Sequence, residues 1–429
     1  MRTITAILIG AGSRGRTYAN YAYDNPDKLK VIGVAEPIEQ IRADFAKKHE
    51  ISTGNTFATW EDVFELEKFA DAVFICTQDR MHFEPAMAAI KKGYDILLEK
   101  PISPNPDECL KLADEAETQG VRIIVCHVLR YAPFFSELKN IINCKEIGDI
   151  VSIVHNENVG YMHHAHSFVR GHWRKTAESS PMILAKSCHD TDIIQWLVGK
   201  KCLRLSSFGS LKYFNIDNCP ESAPKRCTDG CPLDCIYDAR KWYLLDGLNS
   251  QYAKDWFSPA ATQSLEPTNE QIIDAIKTGP YGRCVFRCDN DVVDHQVINM
   301  EFDGGVTAAF SMCSFTHDIS RTLKIMGTKG EIRGHMEKNS IIVHDFLTGK
   351  IREISTLPDV GHVGHGGGDT AMMEAFCDYL NGRYVGNSLS EIRVSADNHM
   401  ISFAAEESRL GGGKVVELAY VLRSYTNKG

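Results

Sequence analysis

Near its N-terminus the chain reads Thr5-Ala6-Ile7-Leu8-Ile9-Gly10-Ala11-Gly12-Ser13-Arg14-Gly15-Arg16. An apolar run of strand length meets a G-x-G-x-x-G turn, and a helix-forming stretch follows. In that order of strand, turn and helix, the pattern reports a dinucleotide-binding βαβ unit. Gly10 permits the tight turn, Gly12 lets a pyrophosphate approach the backbone, and Gly15 lets helix and strand pack closely. Ser13 and Arg14 stand at the helix start, where free amides and the helix dipole favour phosphate. Glu36, 21 residues past Gly15, ends the second strand. A carboxylate there accepts from ribose hydroxyls and repels a 2′-phosphate, so NAD is expected over NADP.

Working outward, strand-like runs at residues 5–10, 30–35, 72–77, 95–98 and 121–126 alternate with helix-like runs at 15–23, 38–49, 83–92 and 106–119. Short apolar strands between amphipathic helices imply a parallel sheet covered on both faces, an α/β Rossmann domain over residues 1–128. Past Tyr131 the rhythm changes. Longer strands are expected at 150–159, 203–214, 292–302, 306–313 and 323–326, with Asp303-Gly304-Gly305 as a hairpin turn. Helices are expected at 189–198, 369–380 and 390–409. Residues 129–429 therefore read as an α+β domain with one large, mostly antiparallel open sheet.

Of 429 residues, 43% are hydrophobic and 24% charged, an ordinary globular composition. Forty-seven basic against 56 acidic residues give a net charge of −9, which disfavours nucleic acid as a partner. No apolar run approaches the roughly 18 residues of a membrane span. The start Met1-Arg2-Thr3-Ile4 lacks the apolar core of a signal peptide, so a cytoplasmic location is expected.

Further on stand Thr77-Gln78-Asp79-Arg80-Met81-His82 and Glu99-Lys100-Pro101. Together with the glycine loop they resemble the Gfo/Idh/MocA family of nicotinamide-dependent oxidoreductases. The resemblance implies that Thr77, His82, Glu99 and Lys100 lie along the cofactor, with Lys100 beside the nicotinamide and the reacting hydroxyl. Oxidising a secondary alcohol requires a proton to leave oxygen while hydride leaves carbon, and a lysine there can orient or accept that proton. It implies too that the second domain binds substrate, and that its open sheet forms a homodimer or homotetramer contact.

The family's second-domain motif is a glycine run followed by Asp-x-x-x-His. Here Ser179-Ser180-Pro181-Met182-Ile183-Leu184-Ala185-Lys186-Ser187-Cys188-His189-Asp190 stands at that place. His189 falls on the family histidine, the general acid/base. Ala185 occupies the aspartate position and Lys186 follows it, three residues before His189 on what reads as one helix.

Before it comes His163-His164-Ala165-His166-Ser167-Phe168-Val169-Arg170-Gly171-His172-Trp173-Arg174. No recognisable metal spacing is completed nearby, and a polar, aromatic loop suits hydroxyl-rich substrates. His163, His166, Arg170, Trp173 and Lys186 are the candidate substrate contacts, Arg170 as a charged fork and Trp173 as a stacking face. Gly361-His362-Val363-Gly364-His365-Gly366-Gly367-Gly368-Asp369 opens a late helix. His365 and Asp369 are further candidates there, and a plain hinge with Asp369 as N-cap stands equally open.

Fourteen cysteines remain to be placed. Cys219, Cys227, Cys231 and Cys235 cluster in a proline- and glycine-broken insert at about 215–247. Four thiolates within 17 residues can reach a tetrahedral zinc, while reduced thiols or disulfides are the alternatives. Cys284 and Cys288 fall on one face of an expected strand. The function these residues imply is NAD-dependent hydride transfer at a secondary hydroxyl of a sugar, sugar derivative or cyclic polyol. A redox-neutral glycoside hydrolase using bound NAD, and a non-catalytic NAD sensor, are the alternatives.

Overall fold

The computed structural model describes residues 2–247, 251, 253–264, 266–356 and 365–419. Six parallel strands come first: β1 (Ile4–Ile9), β2 (Leu29–Ala35), β3 (Thr56–Phe57), β4 (Ala72–Ile75), β5 (Asp95–Leu98) and β6 (Ile123–Val125), in the spatial order β3-β2-β1-β4-β5-β6. Every residue of β4 is buried, as a strand covered by helices on both faces demands. The crossover helices carry their own punctuation. Pro106–Gln119 starts under an Asn105 side-chain cap with proline in its first turn, and ends at left-handed Gly120.

A nine-stranded sheet follows, built from β7 (Ile150–Asn158), β8 (Cys202–Ser210), β9 (His295–Phe302), β10 (Thr307–Cys313), β11 (Ser320–Gly327), β12 (Gly330–His335), β13 (Ser340–Asp345), β14 (Ile351–Ser355) and β15 (Val416–Glu417). Its order is β14-β13-β12-β11-β7-β10-β9-β8-β15, antiparallel except where β7 meets β10. Burial alternates along β9 and β10, so one face carries core and the other looks outward. The helix Ile392–Leu410 packs on β8, on Cys188–Val198 and on Pro106–Gln119, joining the two sheets. The helix Gly368–Leu380 returns to the parallel sheet, burying Met372, Met373 and Phe376 in its core. Among the described residues no helix is long and apolar enough to cross a membrane.

The differences from the sequence reading are local. β8 stops at Ser210 and β9 starts at His295, because Asp294 Oδ2 accepts the amides of Lys212 and Tyr213 at 2.9 and 2.7 Å and takes them out of the ladder. Cys284 and Cys288 lie on no strand: the Pro280–Gly282 turn precedes them, and Cys288 Sγ folds back to the Cys284 carbonyl at 3.3 Å. β3 and β12 to β15 were not anticipated: β3 and β15 have two residues each, β12 and β14 are largely polar, and β13 carries only the short apolar run Ile341-Ile342-Val343. The start of the glycine-rich loop, Gly361 to Gly364, lies outside the described residues.

Candidate active site

The glycine loop is built as its sequence requires. Gly10 sits at φ +89°, and a Cβ there would lie 2.7 Å from the Cys76 carbonyl oxygen. At Gly15 a Cβ would meet the Gly10 carbonyl at 2.2 Å and Leu8 Cδ1 at 2.9 Å. Around Gly12, by contrast, nothing stands within 4 Å, so this is the face left open for a ligand. The helix Ser13–Asp24 begins there with no side-chain cap and no acid in its first turn, which leaves its amides and dipole to an anion. Buried Glu36 accepts from the Ala11 amide at 2.9 Å through Oε2 and from Ile38 at 3.0 Å through Oε1. It shapes the loop from the end of β2. The cradle fits a dinucleotide.

Below the loop, Glu99 accepts from Tyr18 Oη at 2.7 Å, Arg14 Nε at 3.0 Å and its neighbour's amide, Lys100 N, at 2.7 Å. Burial works to raise the Glu99 carboxyl, but Arg14 and Lys100 outweigh it and hold it below the usual range. Arg14 itself turns inward: besides Glu99 it donates to Tyr18 Oη at 2.6 Å and Asp369 Oδ1 at 2.5 Å. Thr77 Oγ1 donates to the Met81 carbonyl at 2.9 Å. The His82 ring lies 2.7 Å from the Pro101 carbonyl and 3.1 Å from that of Thr77, linking the loop after β4 to the Glu-Lys-Pro turn. The Lys100-Pro101 peptide is cis.

Lys100 Nζ donates to the main-chain carbonyl of Ala185 at 2.8 Å, which brings it to the segment carrying His189. That segment is not one helix. Met182–Ala185 ends at Lys186, and Cys188–Val198 starts afresh after Ser187, so Lys186 and His189 do not share the helical face read from sequence. Lys186 Nζ lies 3.3 Å from Glu157, which also pairs with Arg321 at 2.8 Å; Arg321 reaches Asp190 at 2.8 Å. His189 is buried beside the rings of His127 and His365, at 5.8 and 5.9 Å between centroids. Burial, then Lys100, His127, His365 and Arg321, depress its pKa well below the ordinary imidazole value. These surroundings favour the neutral form of its imidazole over the cation.

His365 holds φ +51°, an unusual backbone state for a non-glycine residue, and its Nδ1 lies 3.1 Å from Asp369. Asp369 is in the first turn of its helix; the N-cap is left-handed Gly367. A chain of contacts therefore runs from Arg14 through Asp369 and His365 to His189. Across the cleft, Asp79 accepts from the Trp173 indole at 3.1 Å, Ser179 Oγ at 3.0 Å and Ser180 Oγ at 2.5 Å, joining the two sheets' segments.

Residues 4–127 match the model of the "Oxidoreductase family, NAD-binding Rossmann fold", GFO_IDH_MocA. That match spans the six strands of the parallel sheet. It is 25% identical over 322 residues to YteT of Bacillus subtilis (strain 168), covering 71% of each protein. Inositol 2-dehydrogenase 2 of Saccharopolyspora erythraea is 30% identical over 135 residues, 30% of this chain and 36% of that one. A solved structure of levoglucosan dehydrogenase with NADH and levoglucosan superposes with a TM-score of 0.70 at 17% identity, over 97% of this chain and 99% of that one, a likeness of fold.

Other candidates are placed elsewhere. The segment read as a loop is helical from Tyr161 to Arg170. His163 is buried edge-on to Trp256 at 4.6 Å and feels the charge of Lys186. His166 lies 2.7 Å from Tyr243 Oη, stacked against Phe257 and Tyr281. Fully buried Arg170 donates to the carbonyls of Arg283 at 2.8 Å and Tyr237 at 2.7 Å, tying down the insert. Zinc in the insert finds no support: among the described residues no three His, Cys, Asp or Glu side chains are grouped to hold a metal, and Cys219, Cys227, Cys231 and Cys235 are free thiols. Phe214, Tyr237, Trp242, Tyr243 and Phe257 form a buried aromatic core beneath the insert. Three residues gained no role from the sequence. Asp79 stood within the quoted motif and His172 within the histidine-rich stretch, whereas His127 carried no local signal. Burial lowers the pKa of His172 against the pull of Asp79, with the charges of Lys100 and Arg174 acting in the same direction as burial.

Proposed function

We propose that this chain transfers hydride between NAD and a secondary hydroxyl of a sugar, sugar derivative or cyclic polyol. The observation that carries the reading is the meeting of Lys100 Nζ with the Ala185–His189 segment at the foot of the glycine cradle. NAD bound in that cradle supplies the hydride acceptor, and Glu36 favours it over NADP. The hydroxyl proton passes to neutral His189, with Lys100 donating a hydrogen bond to the substrate oxygen as its charge develops. The carbinol carbon gives up its hydrogen with the bonding electron pair; the products are a ketone, reduced cofactor and one proton. Trp173, fixed by Asp79, offers a ring face to the sugar, while Lys186, His365 and Asp369 border it.

Val154, Phe208 and Val297 stand exposed on the outward face of the nine-stranded sheet, which supports a homodimer or homotetramer through that face. Light scattering of the purified protein tests this, and a monomer overturns it. For the reaction, levoglucosan, myo-inositol, free aldoses and aryl glycosides are offered with NAD and with NADP while NADH is followed. Stoichiometric NADH with one of the sugars or polyols supports the reading. Release of an aglycone without net NADH replaces it with redox-neutral glycoside cleavage.

A further inference from the structure

His127 follows β6 and is 1% exposed, yet neither ring nitrogen has a hydrogen-bond partner. Buried polar groups are rarely left in that state. On one side Asp192 Oδ2 lies 4.0 Å from Nδ1. On the other, the ring of His189 stands edge to face, and its own Nδ1 is likewise sealed and unpartnered. The surrounding groups are already satisfied. Asp192 accepts from Arg130 at 2.7 and 2.6 Å, and from Asn398. His399 takes the Ile102 amide on Nε2 at 3.1 Å, so its Nδ1 proton goes to the Ser395 carbonyl at 2.8 Å.

An imidazole that accepts a proton on one nitrogen needs the other held, so that a single tautomer faces the substrate. Ala185, four residues before His189, has no polar group with which to do this. We propose that His127, oriented by Asp192, is the positioning residue for His189: its free nitrogen accepts the Nδ1–H of His189, directly or through one ordered water, and leaves Nε2 bare toward the substrate hydroxyl. This rests on the reading of His189 as the acid/base.

The groups facing His189 are Lys100, His127, His365 and Arg321; those facing His127 are Asp192, Arg130, Lys100, Glu99, His189 and His399. Burial, against the pull of Asp192, lowers the His127 pKa to about 4, so the ring stays neutral and keeps an acceptor nitrogen at neutral pH.

The test is nitrogen NMR of the full-length, NAD-loaded protein labelled with 15N-histidine, with His189→Asn assigning the resonances of His189. In the unsubstituted protein His189 is expected to carry its proton on Nδ1. The expected excess over the other tautomer is about tenfold, what one net hydrogen bond supplies. His127→Phe is expected to erase that preference, and His127→Asn, whose amide oxygen still accepts, to restore most of it. Thermal melting and NAD titration of each variant confirm that it is folded. A proton on Nε2 in the unsubstituted protein overturns the proposal, as does an unchanged His189 spectrum in His127→Phe. Loss of turnover in His189→Ala separately tests the underlying reading; full turnover there removes both.

Discussion

The ammonium of Lys100, at the end of the parallel sheet, donates to the carbonyl of Ala185, which belongs to the short helix before His189. One hydrogen bond thus joins the parallel-sheet part of the chain to the part that carries the candidate base. Its acceptor is a backbone oxygen, so the absence of an aspartate at position 185 does not break the link. A substrate hydroxyl that replaces this carbonyl as the acceptor gains a charged donor without stripping Lys100 of a carboxylate.

Lys100→Met is expected to lower kcat by two to four orders of magnitude, the range for a positioned proton-transfer group, with NAD affinity changed little. Steady-state rates beside NAD fluorescence titrations check this. Equal loss of NAD binding and turnover contradicts a role at the reacting oxygen.

The glycine loop separates folding from binding. Because a Cβ at Gly12 has open space, Gly12→Ala is expected to melt within a few degrees of the unsubstituted protein while NAD binding weakens at least about tenfold, the loss of close pyrophosphate approach. Gly15→Ala drives a methyl onto the Gly10 carbonyl and Leu8, so it is expected to destabilise the fold by about 1–3 kcal/mol, the cost of overpacking. Calorimetry and titration of both variants distinguish the two effects.

Acid should loosen the protein early. Burial lowers the pKa of His127 and His164 to about 4, and of His166 and His399 to about 3. Each imidazole is neutral when folded but protonates near 6.5 when unfolded, so stability is full above about pH 6.5 and falls as pH drops toward 3–4. The slope approaches about 1.4 kcal/mol per pH unit for each such group. Depressed Glu99 and Asp369 act in the same direction further down, below about pH 4 where free carboxyls protonate. Urea unfolding from pH 8 to 4 reads this directly, and a flat profile between 6.5 and 5 contradicts it.

Arg170→Met leaves the Arg283 and Tyr237 carbonyls without their donor deep in the insert core. We expect faster proteolysis between residues 215 and 247, with NAD affinity preserved. Loss of NAD binding would show instead that the insert reaches the cofactor.

Much of this was legible because the signals are local. Gly10, Gly12 and Gly15 each answer a steric demand within a few residues, and the apolar strands around them need no distant partner to be recognised. The Asp303-Gly304-Gly305 hairpin is of the same kind. Features set by tertiary neighbours were not legible. The short helix Met182–Ala185 and its end at Lys186 carry no local signal ahead of the helix expected at 189–198. His166 and Arg170 look like polar loop residues until Tyr243, Tyr237 and Arg283, more than 65 residues away, close over them. The orphan nitrogens of His127 exist only because the segment that follows β6 packs against the helix Cys188–Val198. Four cysteines in 17 residues suggested a metal by composition, but among the described residues no three His, Cys, Asp or Glu side chains are grouped to hold one.

The most direct test of the central claim follows NADH while the NAD-loaded protein is offered the sugar and polyol panel, beside its His189→Ala variant. We expect one NADH per ketone formed with the unsubstituted protein, and NAD binding without NADH in the variant. Equal NADH formation by both proteins, or product formed with no NADH at all, would contradict it.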